Sequence, residues 1–181
     1  RYVHSANEPA LIAGVGTMGF EIFEDCPDPD VILVPIGLGS GVCGTGIVAR
    51  ARRPQTRIIG VQAEGASAVS DTWHSGRWTT SETADTWAEG MATRVPAEMT
   101  LEIMREVVDD VLLVSDDDLR RACRTYLDQT HNLVEGAGAA SLAAAVVHRE
   151  RFQGQTVVGI VSGGNLDPDQ LPEILASKPF G

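Results

Sequence analysis

A short apolar run that leads directly into a glycine-rich turn is the feature that most constrains the fold of this chain. Residues 31–36 are all apolar, and the sequence Gly-Leu-Gly-Ser-Gly occupies positions 37–41. A helix-like segment at 47–53 follows and ends before Pro54. A strand, a glycine turn and a helix in this order point backbone N–H groups and a helix N-terminus at an anion, usually a phosphate. The pattern predicts an anion site at the end of a buried strand.

Strand and helix patterns alternate along the rest of the chain. Further apolar strand patterns cover 57–63, 110–114 and 156–161. Helix patterns cover 9–24, 67–75, 97–107, 116–127, 138–148 and 169–176. Continuous apolar strands between helices are typical of a parallel sheet with helices on both faces. We therefore expect one α/β unit, a three-layer sandwich with a mostly parallel sheet, whose ligands bind beyond the C-terminal ends of the strands.

A second glycine-rich turn follows the last predicted strand and reads Ser162-Gly163-Gly164-Asn165. In a parallel sheet, this turn and the turn at 37–41 lie at the same edge. Each turn also has a local interpretation: glycines that serve helix packing in the first, and a helix cap in the second. The first turn is not a Walker A loop, because no Lys-Ser/Thr follows, and it matches the dinucleotide pattern G-x-G-x-x-G only superficially.

Composition excludes several classes of partner. The chain has 181 residues and a net charge of −11, which argues against nucleic acid or an anionic membrane as the main partner. No apolar run approaches the roughly 20 residues needed to cross a bilayer. Cys26, Cys43 and Cys123 lie far apart without metal-ligand spacing, so we interpret them as reduced thiols of a cytoplasmic protein.

Candidate catalytic side chains outside the two turns form no recognisable pattern. The four histidines are scattered, and Asp85 and Glu89 are better interpreted as a solvated loop than as a catalytic pair. Thirteen of the fourteen basic residues are arginine, and the single lysine is Lys178, near the C-terminus. Chemistry that needs a buried amine is therefore not easily supplied by this chain.

Five stretches, in a fixed order, resemble one known family. They are 13–17 with Glu21, 34–41, 59–66, 85–92, and 134–139 with 161–165. From about residue 14 to 165 the chain resembles the fold-type-II pyridoxal-phosphate enzymes, in particular the threonine/serine dehydratase group, which includes serine racemase. Each motif is loose alone, and their order and spacing make the match specific. The implied fold is the large domain of the tryptophan synthase β-like type.

The resemblance implies a pyridoxal 5'-phosphate site. The turn at 37–41 would bind the cofactor phosphate, Ser162 would face the pyridine nitrogen, and Glu135 and the Gly90 backbone would lie beside the ring. The implied cofactor-binding residues are Gly37, Leu38, Gly39, Ser40, Gly41, Gly90, Glu135 and Ser162.

The resemblance also implies a reaction. A neutral hydroxyl at the pyridine nitrogen does not hold the ring protonated as a carboxylate would, which suits elimination better than transamination. The implied activity is β-elimination from threonine or serine, giving a 2-oxo acid and ammonia.

Two departures from the family pattern affect these expectations. Leu38 and Ser40 interrupt the tetraglycine loop of the family, although the backbone donors remain. Many members hold a cation with a Glu, a backbone carbonyl and an Asp, and the matching positions here are Gln62, Ala66 and Ala68. Because a divalent ion prefers charged oxygen ligands, we expect no metal site.

The family's Schiff-base lysine, and the loop that grips the substrate carboxylate, lie upstream of every motif found here. We therefore expect residues 1–181 to be an incomplete pyridoxal-phosphate-binding large domain, without the N-terminal lysine-bearing segment and the small domain. On this view the chain holds no catalytic residue and is inactive alone.

Several alternatives stay open. The parent protein could be an amino-acid racemase, a diaminopropionate-type ammonia-lyase or a threonine synthase. The missing lysine favours a further alternative, a non-catalytic domain that binds a phosphate ligand. The expected partners are a small amino acid and further copies of the protein in a homo-oligomer.

Overall fold

The computed structural model describes residues 3–181 and contains one four-stranded parallel sheet. Its strands are β1 (Val31–Pro35), β2 (Arg57–Ala63), β3 (Asp110–Val114) and β4 (Val157–Gly159), in the spatial order β3-β2-β1-β4. The register pairs Val31 with both Arg57 and Val157. The first strand therefore lies inside the sheet, and its C-terminal end lies beside that of the last strand.

Eight α-helices cover the two faces of the sheet. They are α1 (Pro9–Val15), α2 (Thr17–Asp25), α3 (Ser40–Arg52), α4 (Ala68–Ser75), α5 (Glu98–Val107), α6 (Asp116–Thr130), α7 (Gly136–Val147) and α8 (Leu171–Ala176). The side chains of α1 to α5 pack on one face, and those of α6 to α8 pack on the other. The predicted three-layer α/β architecture is confirmed.

The sheet core explains why β1 is apolar at every position. Ile32 and Val34 pack with the α1–α5 layer, whereas Val31 and Leu33 pack with the α6–α8 layer. All four side chains are almost fully buried, since helices cover the strand on both sides. The small residues of α7, which include Ala139 and Ala140, let that helix lie close to the sheet.

The single helix predicted for residues 9–24 is wrong, because the chain bends at Gly16 and forms α1 and α2. The bend lies where α3 crosses: a Cβ built on Gly44 would lie 2.8 Å from the Gly16 nitrogen and 2.8 Å from the Ile12 carbonyl oxygen. Gly19 likewise lies close to Val48. These glycines serve a close approach between helices rather than packing against the sheet.

Other boundaries differ from the predictions by smaller amounts. Helix α3, which follows the first turn, begins at Ser40, seven residues before the helical segment predicted at 47–53. The last strand is shorter than predicted, since only Val157–Gly159 pairs with β1. Helix α7 begins at Gly136, two residues before its predicted start at residue 138. No helix of residues 3–181 is long and apolar enough to cross a membrane.

Two of the three free cysteines are shielded in the core. Cys43 donates its thiol proton to the Thr100 carbonyl oxygen at 3.3 Å, and burial raises the pKa of both Cys43 and Cys123 to about 12. Cys26 is only partly buried.

We expect iodoacetamide at pH 8 to label Cys26 in the folded protein and to leave Cys43 and Cys123 unmodified, because only the thiolate reacts. The two buried thiols have a higher pKa in the folded state than their ordinary value of 9.0. Their stabilising contribution is therefore complete below pH 9 and is lost as the pH rises towards 12. Peptide mass mapping before and after urea denaturation tests the prediction, and labelling of Cys43 or Cys123 before denaturation would contradict it.

Candidate functional site

The C-terminal ends of β1 and β4 open on a cavity of about 750 Å³. Most of its lining comes from four segments: 14–18 between α1 and α2, 37–41 after β1, 90–93 from the long connection between α4 and α5, and Val161 with Ser162 after β4. Ser5, Pro35 and Ala137 complete the lining. The lining residues within residues 3–181 carry no charged side chain. The cavity therefore offers hydroxyl groups, backbone groups and apolar surface.

The turn after β1 exposes a row of free backbone donors. Gly39 adopts a left-handed conformation, with φ of +100°, at the N-terminal end of α3, and no side chain caps that end. The N–H groups of residues 37–41 donate to no acceptor in the described part of the chain. Thr100 fixes the turn from α5 by donating its hydroxyl to the Leu38 carbonyl oxygen at 2.6 Å. Free donors and a helix N-terminus make this turn suited to an anion.

Gly37 lies directly against the segment that contains Gly90. A Cβ built on Gly37 would lie 2.6 Å from the Gly90 carbonyl oxygen, and a Cβ on Gly90 would lie 2.9 Å from the Ala137 Cβ. The turn, the Gly90 segment and the N-terminal end of α7 are therefore stacked without intervening side chains. These three residues all line the cavity, so their contacts form one of its walls.

Three serines line the cavity, Ser5, Ser40 and Ser162, and the last two belong to the predicted cofactor site. Neither Ser40, in the first residue of α3, nor Ser162 makes a side-chain hydrogen bond among residues 3–181. Ser162 is exposed and follows β4, the strand that pairs with β1. The two glycine-rich turns predicted to lie together do so.

Glu135 lines a second cavity of about 590 Å³, and its Oε1 would lie 3.9 Å from a Cβ built on Gly90. The two cavities meet at Gly90 and Ala137, which line both. The Glu135 N–H donates to the Gly163 carbonyl oxygen at 3.3 Å, and a side chain on Gly163 would overlap the Glu135 carboxylate. Seven of the eight predicted residues thus line the first cavity, and Glu135 lines the second cavity, against the Gly163 turn.

Asp116 supports the segment that contains Gly90, and the sequence did not predict this role. One carboxylate oxygen accepts the Thr86 hydroxyl at 2.6 Å, and the other accepts the Trp87 N–H at 2.7 Å. The aspartate thereby holds the segment that leads to Gly90. In the sequence, Asp116 looks like one of three acids in the first turn of α6, a helix that Ser115 and Asp118 cap. No local signal separates Asp116 from its neighbours.

The three positions matched above to the family's cation site include a buried amide. Gln62 is fully buried, and its Oε1 accepts the Ser70 N–H at 2.9 Å. Its Nε2 has no partner within residues 3–181. Ala66 and Ala68 are buried as well and provide no carboxylate. A donor amide repels a cation, so these residues do not fit a metal site.

We expect Mg²⁺, Ca²⁺ or EDTA at millimolar concentration to leave the thermal midpoint of the intact protein within a degree of its value in buffer. A ligand that binds the folded state raises that midpoint by mass action, so an ion without a site has no effect. Scanning calorimetry with each ion at constant ionic strength is the measurement. A saturable rise with one divalent ion would show that the prediction is wrong.

Comparison with known proteins gives a consistent result. Residues 1–163 match the family model described as "Pyridoxal-phosphate dependent enzyme". The chain is 37% identical over 175 residues to the catabolic L-threonine dehydratase TdcB of Escherichia coli strain K12, covering 96% of this chain and 53% of that protein. It therefore spans about half the length of this curated relative.

Comparison with solved structures finds the same kinds of enzyme as comparison of sequences. The processed form of threonine deaminase isoform 2 from Solanum lycopersicum matches with a TM-score of 0.91 and 29% identity, over 97% of this chain and 49% of that one. Maize serine racemase matches with a TM-score of 0.87 and 31% identity, over 96% of this chain and 55% of the other. From its fold, the order of its motifs and these matches, the chain belongs to the family of pyridoxal-phosphate-dependent enzymes.

Proposed function

We propose that the intact protein is a pyridoxal-phosphate-dependent ammonia-lyase that removes the β-hydroxyl group of serine or threonine and releases a 2-oxo acid and ammonia. One observation carries the proposal: the turn after β1 and Ser162 after β4 open on one cavity with their polar groups free of protein partners. Ligand sites of α/β sheets lie at such strand ends. The similarity to threonine dehydratases of E. coli and Solanum lycopersicum supports the choice of reaction.

The residues after β1 suit the cofactor phosphate. The N–H groups of residues 37–41 would donate to its oxygens, and the Ser40 hydroxyl would add a side-chain donor. The N-terminal end of α3 adds the favourable field of the helix dipole. Leu38 and Ser40 do not obstruct this role, because the donors belong to the backbone.

Ser162 suits the pyridine nitrogen. Its hydroxyl can donate a hydrogen bond to a neutral ring nitrogen, whereas a carboxylate in that place would hold the nitrogen protonated. When bound, the cofactor supplies an electron sink for the carbon that loses its proton. The chain would hold the ring at Ser162, with Glu135 and the Gly90 backbone beside it, and would restrict access of water.

Cofactor binding and formation of 2-oxo acid by the intact protein test this function. We expect pyridoxal phosphate to give a stable absorbance band, and serine or threonine to give 2-oxo acid at a rate that depends on the cofactor. Ser162→Ala should weaken cofactor binding about tenfold, the effect of one lost hydrogen bond in a desolvated site. Cofactor binding without formation of 2-oxo acid from serine, threonine or diaminopropionate would overturn the proposed reaction.

We further propose that residues 1–181 alone make no covalent bond to the cofactor within the cavity. Lys178 is the only lysine in the sequence, is exposed in the C-terminal tail and does not line the cavity. The segment would act as the large domain of a cytoplasmic homo-oligomer. Borohydride reduction with cofactor, followed by peptide mapping, tests the first point: an adduct anywhere except Lys178 or the N-terminal amine contradicts it.

Amino-acid racemization is a second candidate, favoured by the similarity to maize serine racemase. Both reactions begin with loss of the proton from Cα. Chiral chromatography of serine after incubation with the intact protein separates them. If L-serine is converted into D-serine at a higher rate than it is converted into pyruvate, the result favours the racemase.

A further inference from the structure

A third cavity, of about 480 Å³, adjoins the first cavity at the end of β4. Val161 and Ser162 line both cavities, so Ser162 lies where the two meet. The rest of the lining comes from α6, from the segment that follows this helix, and from two glycines: Tyr126, 132–134, Gly163 and Gly164. Within residues 3–181 no charged side chain lines the third cavity. A polar group in this cavity can therefore reach Ser162 without entering the first cavity.

The turn after β4 lies close against the chain that leads out of α6. A Cβ built on Gly164 would lie 2.9 Å from the Leu133 carbonyl oxygen, and the Glu135 N–H donates to the Gly163 carbonyl oxygen at 3.3 Å. These contacts fix the backbone of the turn relative to the end of α6. Tyr126, about one turn before the end of that helix, is therefore held at a defined place beside the turn.

Tyr126 carries a hydroxyl group without a partner in the described chain. Its ring packs against the apolar core of the α6–α8 layer, and its hydroxyl makes no hydrogen bond within residues 3–181. The hydroxyl oxygen is not fully enclosed either, so it is open to the cavity that Tyr126 lines. Burial raises the pKa of the Tyr126 phenol above its ordinary value of 10.0, and the Cys123 thiol acts in the same direction, so the phenol keeps its proton at neutral pH. A tyrosine packed in a core normally has a partner for its hydroxyl.

The other polar side chains of the third cavity identify that partner. Asn132 is engaged elsewhere, because its amide donates to the carbonyl oxygen and to the hydroxyl of Thr130, at 3.2 and 3.0 Å. Ser162 makes no side-chain hydrogen bond within the described residues, and a serine oxygen can accept two. An unpaired donor on Tyr126 and an unpaired acceptor on Ser162 thus line the same uncharged cavity.

We propose that the Tyr126 hydroxyl donates a hydrogen bond to the Ser162 oxygen, directly or through one bridging water, and thereby aims the Ser162 hydroxyl at the pyridine nitrogen. The inference rests on the proposed function, in which Ser162 donates to that nitrogen. A serine hydroxyl has a single hydrogen and can rotate, and a donor on its oxygen disfavours the orientations in which that hydrogen points away from the ring. Tyr126 is a positioning residue, since it acts through Ser162 and touches neither cofactor nor substrate.

The expected chemical consequence is a stronger hydrogen bond at the ring nitrogen. Hydrogen bonds in series polarise one another, so the bond from Ser162 gains strength when its oxygen accepts a bond. Hydrogen bonds to the ring nitrogen are one of the means by which a protein adjusts the electronic properties of this cofactor. Tyr126 would therefore increase the electron-withdrawing capacity of the ring without placing a full charge beside it.

Tyr126→Phe is the main test because it removes the hydroxyl and keeps the ring that packs in the core. Asn132→Ala is the matched control, since it removes the third polar side chain of the same cavity. Ser162→Ala and the double variant Tyr126→Phe/Ser162→Ala complete a mutant cycle. All variants are made in the intact protein with pyridoxal phosphate that carries ¹⁵N in its ring. The thermal midpoint without cofactor, the cofactor dissociation constant and the ¹⁵N chemical shift of the ring are measured.

We expect Tyr126→Phe to weaken cofactor binding about fivefold, the effect of one hydrogen bond. The ¹⁵N chemical shift should move towards that of the free cofactor with a neutral ring, and the thermal midpoint without cofactor should stay constant. In the Ser162→Ala background the same substitution should change cofactor affinity by less than about twofold, because no oxygen remains to accept the bond. Asn132→Ala should keep the wild-type chemical shift and cofactor affinity.

Two results would overturn the inference. A wild-type ¹⁵N chemical shift in Tyr126→Phe would show that the hydroxyl does not act on the bond to the ring, and a lower thermal midpoint beside it would assign the hydroxyl to the fold. An equal loss of cofactor affinity with and without the Ser162 hydroxyl would show that Tyr126 acts by another route.

Failure of the proposed reaction is recognised separately. In that case the wild-type protein binds the cofactor and forms no 2-oxo acid, while the ¹⁵N chemical shift and the mutant cycle still decide the role of Tyr126. An unchanged ¹⁵N chemical shift in Ser162→Ala would mean that Ser162 does not contact the ring nitrogen. That result would overturn the inference whether or not the protein forms a 2-oxo acid.

Discussion

Replacing Gly37 with alanine should both destabilise the intact protein and weaken cofactor binding. The added Cβ would lie 2.6 Å from the Gly90 carbonyl oxygen, which is backbone and cannot rotate away. The turn and the Gly90 segment must therefore move apart, with a cost of about 2 kcal/mol, typical of overpacking. The donors of the turn shift with the backbone, so we expect cofactor affinity to fall at least about tenfold, roughly 1.4 kcal/mol.

Gly41→Ala is the matched control, since it adds the same atom within the same turn. Its Cβ would meet only the Val34 Cγ1, at 3.9 Å, an ordinary contact. The position lies in α3, where alanine is the better helix former, so the thermal midpoint should stay constant or rise. Calorimetry and cofactor titration provide the measurements. Equal thermal midpoints for the two variants would show that the contact between Gly37 and Gly90 is not tight.

Asp116→Ala should lower the thermal midpoint of the protein by about 6–12 °C, which corresponds to about 3 kcal/mol. The substitution removes the acceptor for both the Thr86 hydroxyl and the Trp87 N–H. Hydrogen bonds to a charged group contribute about 1.5–3 kcal/mol each, and a buried donor left without an acceptor adds a further cost. Because these bonds hold the segment that leads to Gly90, activity should fall as well.

Asp117→Ala is the control for Asp116. Both residues lie in the first turn of α6 and interact with its dipole, so that contribution is lost in either variant. The Asp117 side chain is 86% exposed, and among residues 3–181 its one ion-pair partner is Arg120, at 3.4 Å. We expect its removal to change the stability by less than about 0.5 kcal/mol. A similar loss in the two variants would mean that the dipole, not the loop contact, explains the effect of Asp116.

The fold was predictable because its signals are local. β1, β2 and β3 have the predicted bounds, since strands buried on both faces must be apolar at consecutive positions such as Ile32 and Leu33. Glycine turns at the ends of β1 and β4 indicated the edge where the cavity lies. The order of five motifs then identified the family, which the comparisons confirm.

Features that depend on distant contacts were not predictable. The bend at Gly16 reflects the approach of Gly44, a contact that no periodicity within residues 9–24 reveals. Asp116 resembles its two acidic neighbours until the fold brings Thr86 and Trp87 to it.

The pairing of β1 with β4 has a consequence for biosynthesis. The cavity needs Ser162, which is positioned only after Val157–Gly159 has joined Val31–Leu33, across more than a hundred residues of chain. A growing polypeptide on the ribosome can form the first turn early, yet it cannot close the site until its last strand has emerged. Cofactor capture is therefore expected only after β4 has joined β1, late in the folding of this segment.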